Sequence, residues 1–137
     1  MARRVSAALL LAGAATAAAA CALTPADGQP LRDGSVQLAW RTEPSPVVQG
    51  QPFVLIVRLC PPTAALLKAD AWMPEHRHGM NYKPSIKPLG DGRFRAEGLL
   101  WHMTGRWEWR FDVRVAADST DAAGAPTLVL RAPVSLP

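Results

Sequence analysis

Trp107-Glu108-Trp109-Arg110-Phe111-Asp112-Val113-Arg114-Val115 alternates apolar and charged residues without a break. Side chains of an extended chain point to opposite faces in turn, so this run predicts a strand with one aromatic face in a core and the other in water. Just upstream, residues 93–102 have strand character after the turn signal Gly90-Asp91-Gly92, and downstream a loop over 118–126 leads to a last strand over 127–134. Val36, Leu38 and Trp40 alternate with Gln37, Ala39 and Arg41, a half-buried strand that the Pro44 to Pro46 stretch ends. The run 53–59 is apolar except for Arg58, which suits a central strand covered on both faces, and Pro61 and Pro62 close it because they cannot donate to a ladder. Residues 63–68 read as a helical turn or loop, and 69–73 as a short strand stopped by Pro74. About seven short antiparallel strands punctuated by turns, with no amphipathic helix of useful length, predict an all-β sandwich.

The chain of 137 residues is 49% hydrophobic and 19% charged, which fits a single globular domain and not a disordered chain. Its formal net charge of +4 includes Arg3 and Arg4, and no basic run follows them, so there is no electrostatic footprint for nucleic acid. Those two arginines open residues 1–21, which continue through Leu9, Leu10 and Leu11 to the small-residue run ending at Ala20 and Cys21. This is the layout of a secretory signal, and its apolar part falls short of the roughly 20 residues of a spanning helix. Ala18-Ala19-Ala20-Cys21 is similar to a bacterial lipobox, while Ala-x-Ala positions around Ala20 equally suit ordinary cleavage. Export would place the domain in the cell envelope, free in the periplasm or held at the inner or outer membrane as a lipoprotein. Residues 22–34, rich in Pro, Gly and Asp, read as a tether, which leaves 35–137 as the folded domain.

Only two cysteines are present, Cys21 and Cys60, and an oxidising compartment tends to pair accessible thiols. If Cys21 carries lipid, Cys60 stands alone, either buried as a small hydrophobe or as a soft metal ligand.

All three histidines, His76, His78 and His102, and every methionine except the initiator, Met73, Met80 and Met103, fall between positions 73 and 103. They form two groups, one within residues 73–80 and the other His102-Met103. Imidazole nitrogen with thioether sulfur suits copper, sulfur favouring Cu(I) and imidazole accepting either oxidation state. If 76–80 is extended, His76, His78 and Met80 share one side. His102 and Met103 are neighbours and reach one ion only if the strand ends there, for which Thr104-Gly105 offers a turn. The competing reading makes Met73 a core residue packed near tryptophan, and His76-Arg77-His78 a solvated loop partnered by Glu75.

Asp70-Ala71-Trp72-Met73-Pro74-Glu75-His76-Arg77-His78-Gly79-Met80-Asn81-Tyr82, then Gly92-Arg93-Phe94 and Leu100-Trp101-His102-Met103-Thr104-Gly105-Arg106-Trp107, resembles the YtkA-like family of exported domains, related to FixH-like proteins. The resemblance spans about 36–115. It implies an immunoglobulin-like β-sandwich outside the cytoplasm with a role in copper handling or oxidase assembly, and it points to His76, His78, Met80 and Met103. His102 beside Met103 is also similar to periplasmic copper chaperones whose sites combine His and Met from two segments.

No serine triad, Gly-x-Ser-x-Gly elbow or phosphate loop is present, so the sequence predicts a binding domain and not an enzyme. The first expectation is an exported domain that holds or delivers copper through His76, His78, Met80 and His102, with Met103 and Cys60 as further sulfur ligands. Its partners would be the copper ion and a periplasmic or membrane metalloenzyme. The alternative is a non-metal accessory sandwich that docks a protein partner through exposed tryptophans and the His-Arg-His stretch, for which five Trp in so short a chain give the motive.

Overall fold

A computed structural model describes residues 20–115 and 124–137. The expected secretory signal, apart from its last two residues, and most of the expected 118–126 loop lie outside the described residues. Among the described residues the strands are β1 (Gln29–Asp33), β2 (Val36–Glu43), β3 (Pro52–Cys60), β4 (Ala65–Met73), β5 (His78–Gly79), β6 (Ser85–Gly90), β7 (Arg93–Leu100), β8 (Gly105–Arg114) and β9 (Thr127–Leu136). They form two antiparallel sheets, one ordered β1-β2-β3-β7-β6 and the other β5-β4-β8-β9. The fold is an all-β, immunoglobulin-like sandwich. No helix of the described residues is long and apolar enough to cross a membrane.

The alternating run behaves as its pattern dictates. Trp107, Trp109, Phe111 and Val113 of β8 are buried, while Glu108, Arg110 and Asp112 lie on the wetter face, where Glu108 accepts from Arg110 Nε at 3.1 Å and Arg131 Nη1 at 3.2 Å. Facing them from the other sheet are Leu38 of β2 and Phe53, Leu55, Val57 and Leu59 of β3. Edge-on and stacked aromatic contacts link Phe53, Trp101, Trp109 and Phe111 at centroid separations of 5.2 to 6.2 Å. Such pairs add to the burial of large apolar rings and fix their mutual orientation.

Residues 22–34 are not a tether. Pro25–Asp27 form a single 3-10 turn, and β1 pairs with β2 from Gln29↔Trp40 to Asp33↔Val36. The segment escapes sequence reading because β1 is an edge strand: it tolerates Pro30 and has only Leu31 half-buried, so it carries no alternation. It also explains the continuous apolar character of β3. The lead-in lies over the outer face, lining a surface with Ala39, and Arg58 of β3 reaches Asp27 at 3.4 Å and Asp91 at 3.6 Å. Gly28 (φ +109) lets it come this close, because a Cβ there would lie 2.1 Å from the Trp40 carbonyl oxygen.

A disulfide joins Cys21 to Cys60, with Cα atoms 5.5 Å apart. A sulfur in a disulfide carries no thioether, so this bond and a lipid anchor at Cys21 are alternative fates of one atom. Residues 63–68, expected as a turn or loop, mostly belong to β4, where a register shift between Leu66 and Lys68 breaks the alternation that would have marked a strand. β6, an edge strand containing Pro88, is a further element with no sequence signal.

Candidate metal centre

Both histidine segments lie at the end of the sandwich where β4 and β7 finish. β4 ends at Met73, and Pro74, which has no N–H to donate, stops the ladder. The chain turns through Glu75, His76 and Arg77, with His76 N donating to the Met73 carbonyl at 3.2 Å and Arg77 at φ 53. It then returns as β5, which pairs His78 with Met73 and Gly79 with Trp72, and Met80 N donates to the Ala71 carbonyl at 3.2 Å. Only part of the 76–80 stretch is therefore extended. β5 holds His78 and Gly79, Met80 follows it, and His76 sits in the turn and is exposed.

The second segment crosses from one sheet to the other. β7 ends at Leu100, so the strand does stop before His102 and Met103, and β8 begins at Gly105. Gln49 Nε2 donates to the His102 carbonyl at 2.9 Å, and Gly50 N donates to the Trp101 carbonyl at 2.9 Å, so the β2–β3 connection holds this crossing in place. Gly105 adopts φ +116, and a Cβ there would lie 2.8 Å from Met73 Cε. Gly105→Ala is expected to destabilise the domain by about 1–3 kcal/mol through the left-handed backbone. Urea denaturation of the variant measures this, and an unchanged midpoint would refute it.

These two turns bring the three imidazoles together. The His76 and His78 ring centroids are 5.8 Å apart, and those of His78 and His102 are 5.3 Å apart. His78 and His102 both meet Trp107 at steep angles, 73° and 83°, with centroid separations of 5.9 and 5.7 Å. His78 Nδ1 lies 3.1 Å from the Gly79 carbonyl oxygen. A carbonyl only accepts, so Nδ1 is the donor there and Nε2 is the ring nitrogen left for another partner, the arrangement that orients metal-binding histidines. His102 Nδ1 is buried and has no hydrogen-bond partner in the protein. A buried ring nitrogen without a protein partner, with a second imidazole 5.3 Å away between centroids, is a donor pair of the kind metal ions use.

The remaining candidates stand differently. Met80 packs half-buried against the core and lines a groove of about 630 Å³ with Leu67, Asp70, Tyr82 and Ile86. Met103 also packs against the core, and its carbonyl accepts from Trp107 Nε1 at 3.1 Å. Met73 is fully buried, as the competing reading of the sequence has it. Cys60 is corrected: its sulfur is committed to Cys21, and it lies at the opposite end of β3 from Pro52, which pairs with Leu100 beside the histidines. Eight residues of extended strand separate the two ends by roughly 25 Å. Glu75 feels His76 as the competing reading expects, but its main partner is Arg106. Arg106 Nε donates to it at 3.0 Å, with a second contact from Nη2, and this hydrogen bonding holds the Glu75 carboxyl below the usual carboxylate range.

Among the described residues no three His, Cys, Asp or Glu side chains form a ready-made metal cage. The chain matches no family model, no curated protein and no solved structure. Sequence reasoning placed Trp107 on the core face of a strand without linking it to the histidines, and missed Gln49 and Arg106. Gln49 lies 53 residues from His102, and no spacing pattern links them.

Proposed function

We propose that this chain is an exported copper-binding domain, a carrier and not an enzyme, that holds copper for delivery to an oxidase or other metalloenzyme of the cell envelope. The observation that carries this reading is the meeting of His76, His78 and His102 from two distant segments, with His78 Nδ1 on the Gly79 carbonyl and His102 Nδ1 without a protein partner. Met80 and Met103 are the thioethers nearest in the chain to these rings. Location in the envelope rests on the leader-like residues 1–21 and is supported by a disulfide, which persists in an oxidising compartment.

The docking alternative loses its main support. Trp101, Trp107 and Trp109 are at most 1% exposed, and Trp40 and Trp72 are half-buried, the latter with the Arg110 guanidinium 5.2 Å over its ring. Interface anchors have to be reachable by the partner.

Copper analysis after loading with Cu(I) under a mild reductant tests the proposal. The native domain is expected to carry near-stoichiometric copper, and a variant with His76, His78 and Met80 all replaced by alanine is expected to lose it while keeping its fold. Background copper in both proteins would return the cluster to loop and core.

Binding is also expected to weaken between about pH 8 and pH 5, because imidazoles must be deprotonated to bind. The Glu75–Arg106 ion pair persists across that window. Glu75 is held below its ordinary value of 4.5, so the contribution of its ion pair is complete above that value and is lost only as pH falls through the lowered one. Affinity that stays flat over this range in a competition titration would contradict imidazole ligation.

A further inference from the structure

We infer that the groove between the outermost strands of the two sheets binds a small uncharged molecule that pairs an apolar body with a hydrogen-bond acceptor such as a carbonyl, independently of copper. β1 and β9 each end the strand order of their own sheet. Between them lies a cavity of about 280 Å³, whose apolar lining comes from Trp40 of β2, Val47 of the β2–β3 connection, Trp101, and Val134 and Leu136 of β9. A volume of that order, aromatic walls and a few polar groups are what small-molecule sites have in common.

Two donors of this lining have no acceptor. Trp40 Nε1 and Trp101 Nε1 are both shut off from solvent, and neither has a hydrogen-bond partner in the protein. Buried N–H groups nearly always have one, because folding takes away their bond to water. Both belong to side chains of one groove, so a guest with an acceptor restores what folding removed. Trp107 is the contrast, since its Nε1 already donates to the Met103 carbonyl at 3.1 Å. Trp109 Nε1 is unpartnered too, its ring 5.9 Å from that of Trp40 and 5.2 Å from that of Trp101, but Trp109 does not line the groove.

The wall is in place before any guest arrives. Trp101 is 1% exposed, meets Phe53 edge-on at 5.2 Å and stacks on Trp107 at 5.8 Å, so binding orders little that is not ordered already. Charge decides the class of guest. Arg41 is the one charged side chain of the lining, and Glu43 pairs with it, while Gln29, Thr42, Ser45 and Ser135 are neutral. An ion entering here gives up its water for no counter-charge, whereas an uncharged molecule does not. An indole N–H only donates, so the guest supplies the acceptor.

Titration of the isotope-labelled native domain with acetophenone, followed by the assigned indole N–H resonances, tests this, with toluene as a similar ring that has no acceptor. Acetophenone is expected to move the Trp40 and Trp101 resonances saturably and to leave that of Trp107 in place. Its affinity is expected to exceed that of toluene by about twofold to tenfold for each hydrogen bond formed. Trp40→Phe, at a half-buried position, keeps an aromatic wall and removes one donor. It is expected to weaken acetophenone by about that factor and to leave toluene unchanged. Acetophenone that moves neither resonance, or that binds no better than toluene, would overturn the inference and leave ordered water as the partner of these nitrogens. Equal weakening of both probes in Trp40→Phe would trace the loss to ring packing and overturn the donor role of Trp40. Copper loading is expected to be the same in Trp40→Phe as in the native domain, and its loss there would overturn the independence of the two sites.

Discussion

Replacing His78 and His102 together by alanine is expected to lower the affinity of the domain for Cu(I) by more than about a hundredfold. Loss of a supporting residue around a metal typically costs 10- to 100-fold, and here two direct ligands would go. The two rings lie 5.3 Å apart, one on β5 and the other in the crossing between β7 and β8, and His76 alone cannot replace both. His76→Ala is expected to cost less, since His76 is exposed in the turn and 5.8 Å from His78. Stability should change little, because neither His78 nor His102 is fully buried and the core beneath them is aromatic and aliphatic. A competition titration against a chelator of known Cu(I) affinity, run beside a thermal melt, measures both quantities. Equal affinity in the double variant and the native domain would remove these histidines from the site.

Removing the disulfide, with Cys21 and Cys60 both replaced by alanine, is expected to destabilise the domain by about 4 kcal/mol and leave copper binding unchanged. The bridge spans 39 residues, and closing a loop of that length restricts the unfolded chain by roughly that amount in the chain-entropy model. For a domain of this size the loss corresponds to a fall in melting temperature of roughly 10–20 °C. The separation of the two effects follows from geometry: the bridge pins the lead-in to the outer face at the far end of β3, while the histidines sit where Pro52 meets Leu100. A variant that loses copper at a temperature where it is still folded would place a cysteine sulfur in the site after all. Mass measurement of the mature protein distinguishes the disulfide from a lipid thioether at Cys21.

How far the sequence could be read depended on periodicity. β2, β3, β8 and β9 were legible because half-buried or central strands show alternating or continuous apolar residues. β1 and β6 were not, since an edge strand mostly in water carries Pro30 or Pro88 without penalty and shows no pattern. The bulge in β4 hid half of that strand by shifting its period.

The sequence alone determined that this is a β-sandwich and that every histidine and all but one methionine fall within thirty-one residues, because composition and alternation are local properties of the chain. Tertiary structure decided the rest. Antiparallel pairing of β4 with β5 turned a His-x-His stretch into a hairpin, and the crossing from β7 to β8 brought His102 from some two dozen residues away to within 5.3 Å of His78. The same packing set Trp107 beneath both rings, gave Glu75 to Arg106, and joined Cys60 to Cys21 at the far end of the sheet. Which donors meet is fixed by strand register and by the sheet each strand joins, and those depend on contacts between residues far apart in the chain, which no local pattern records.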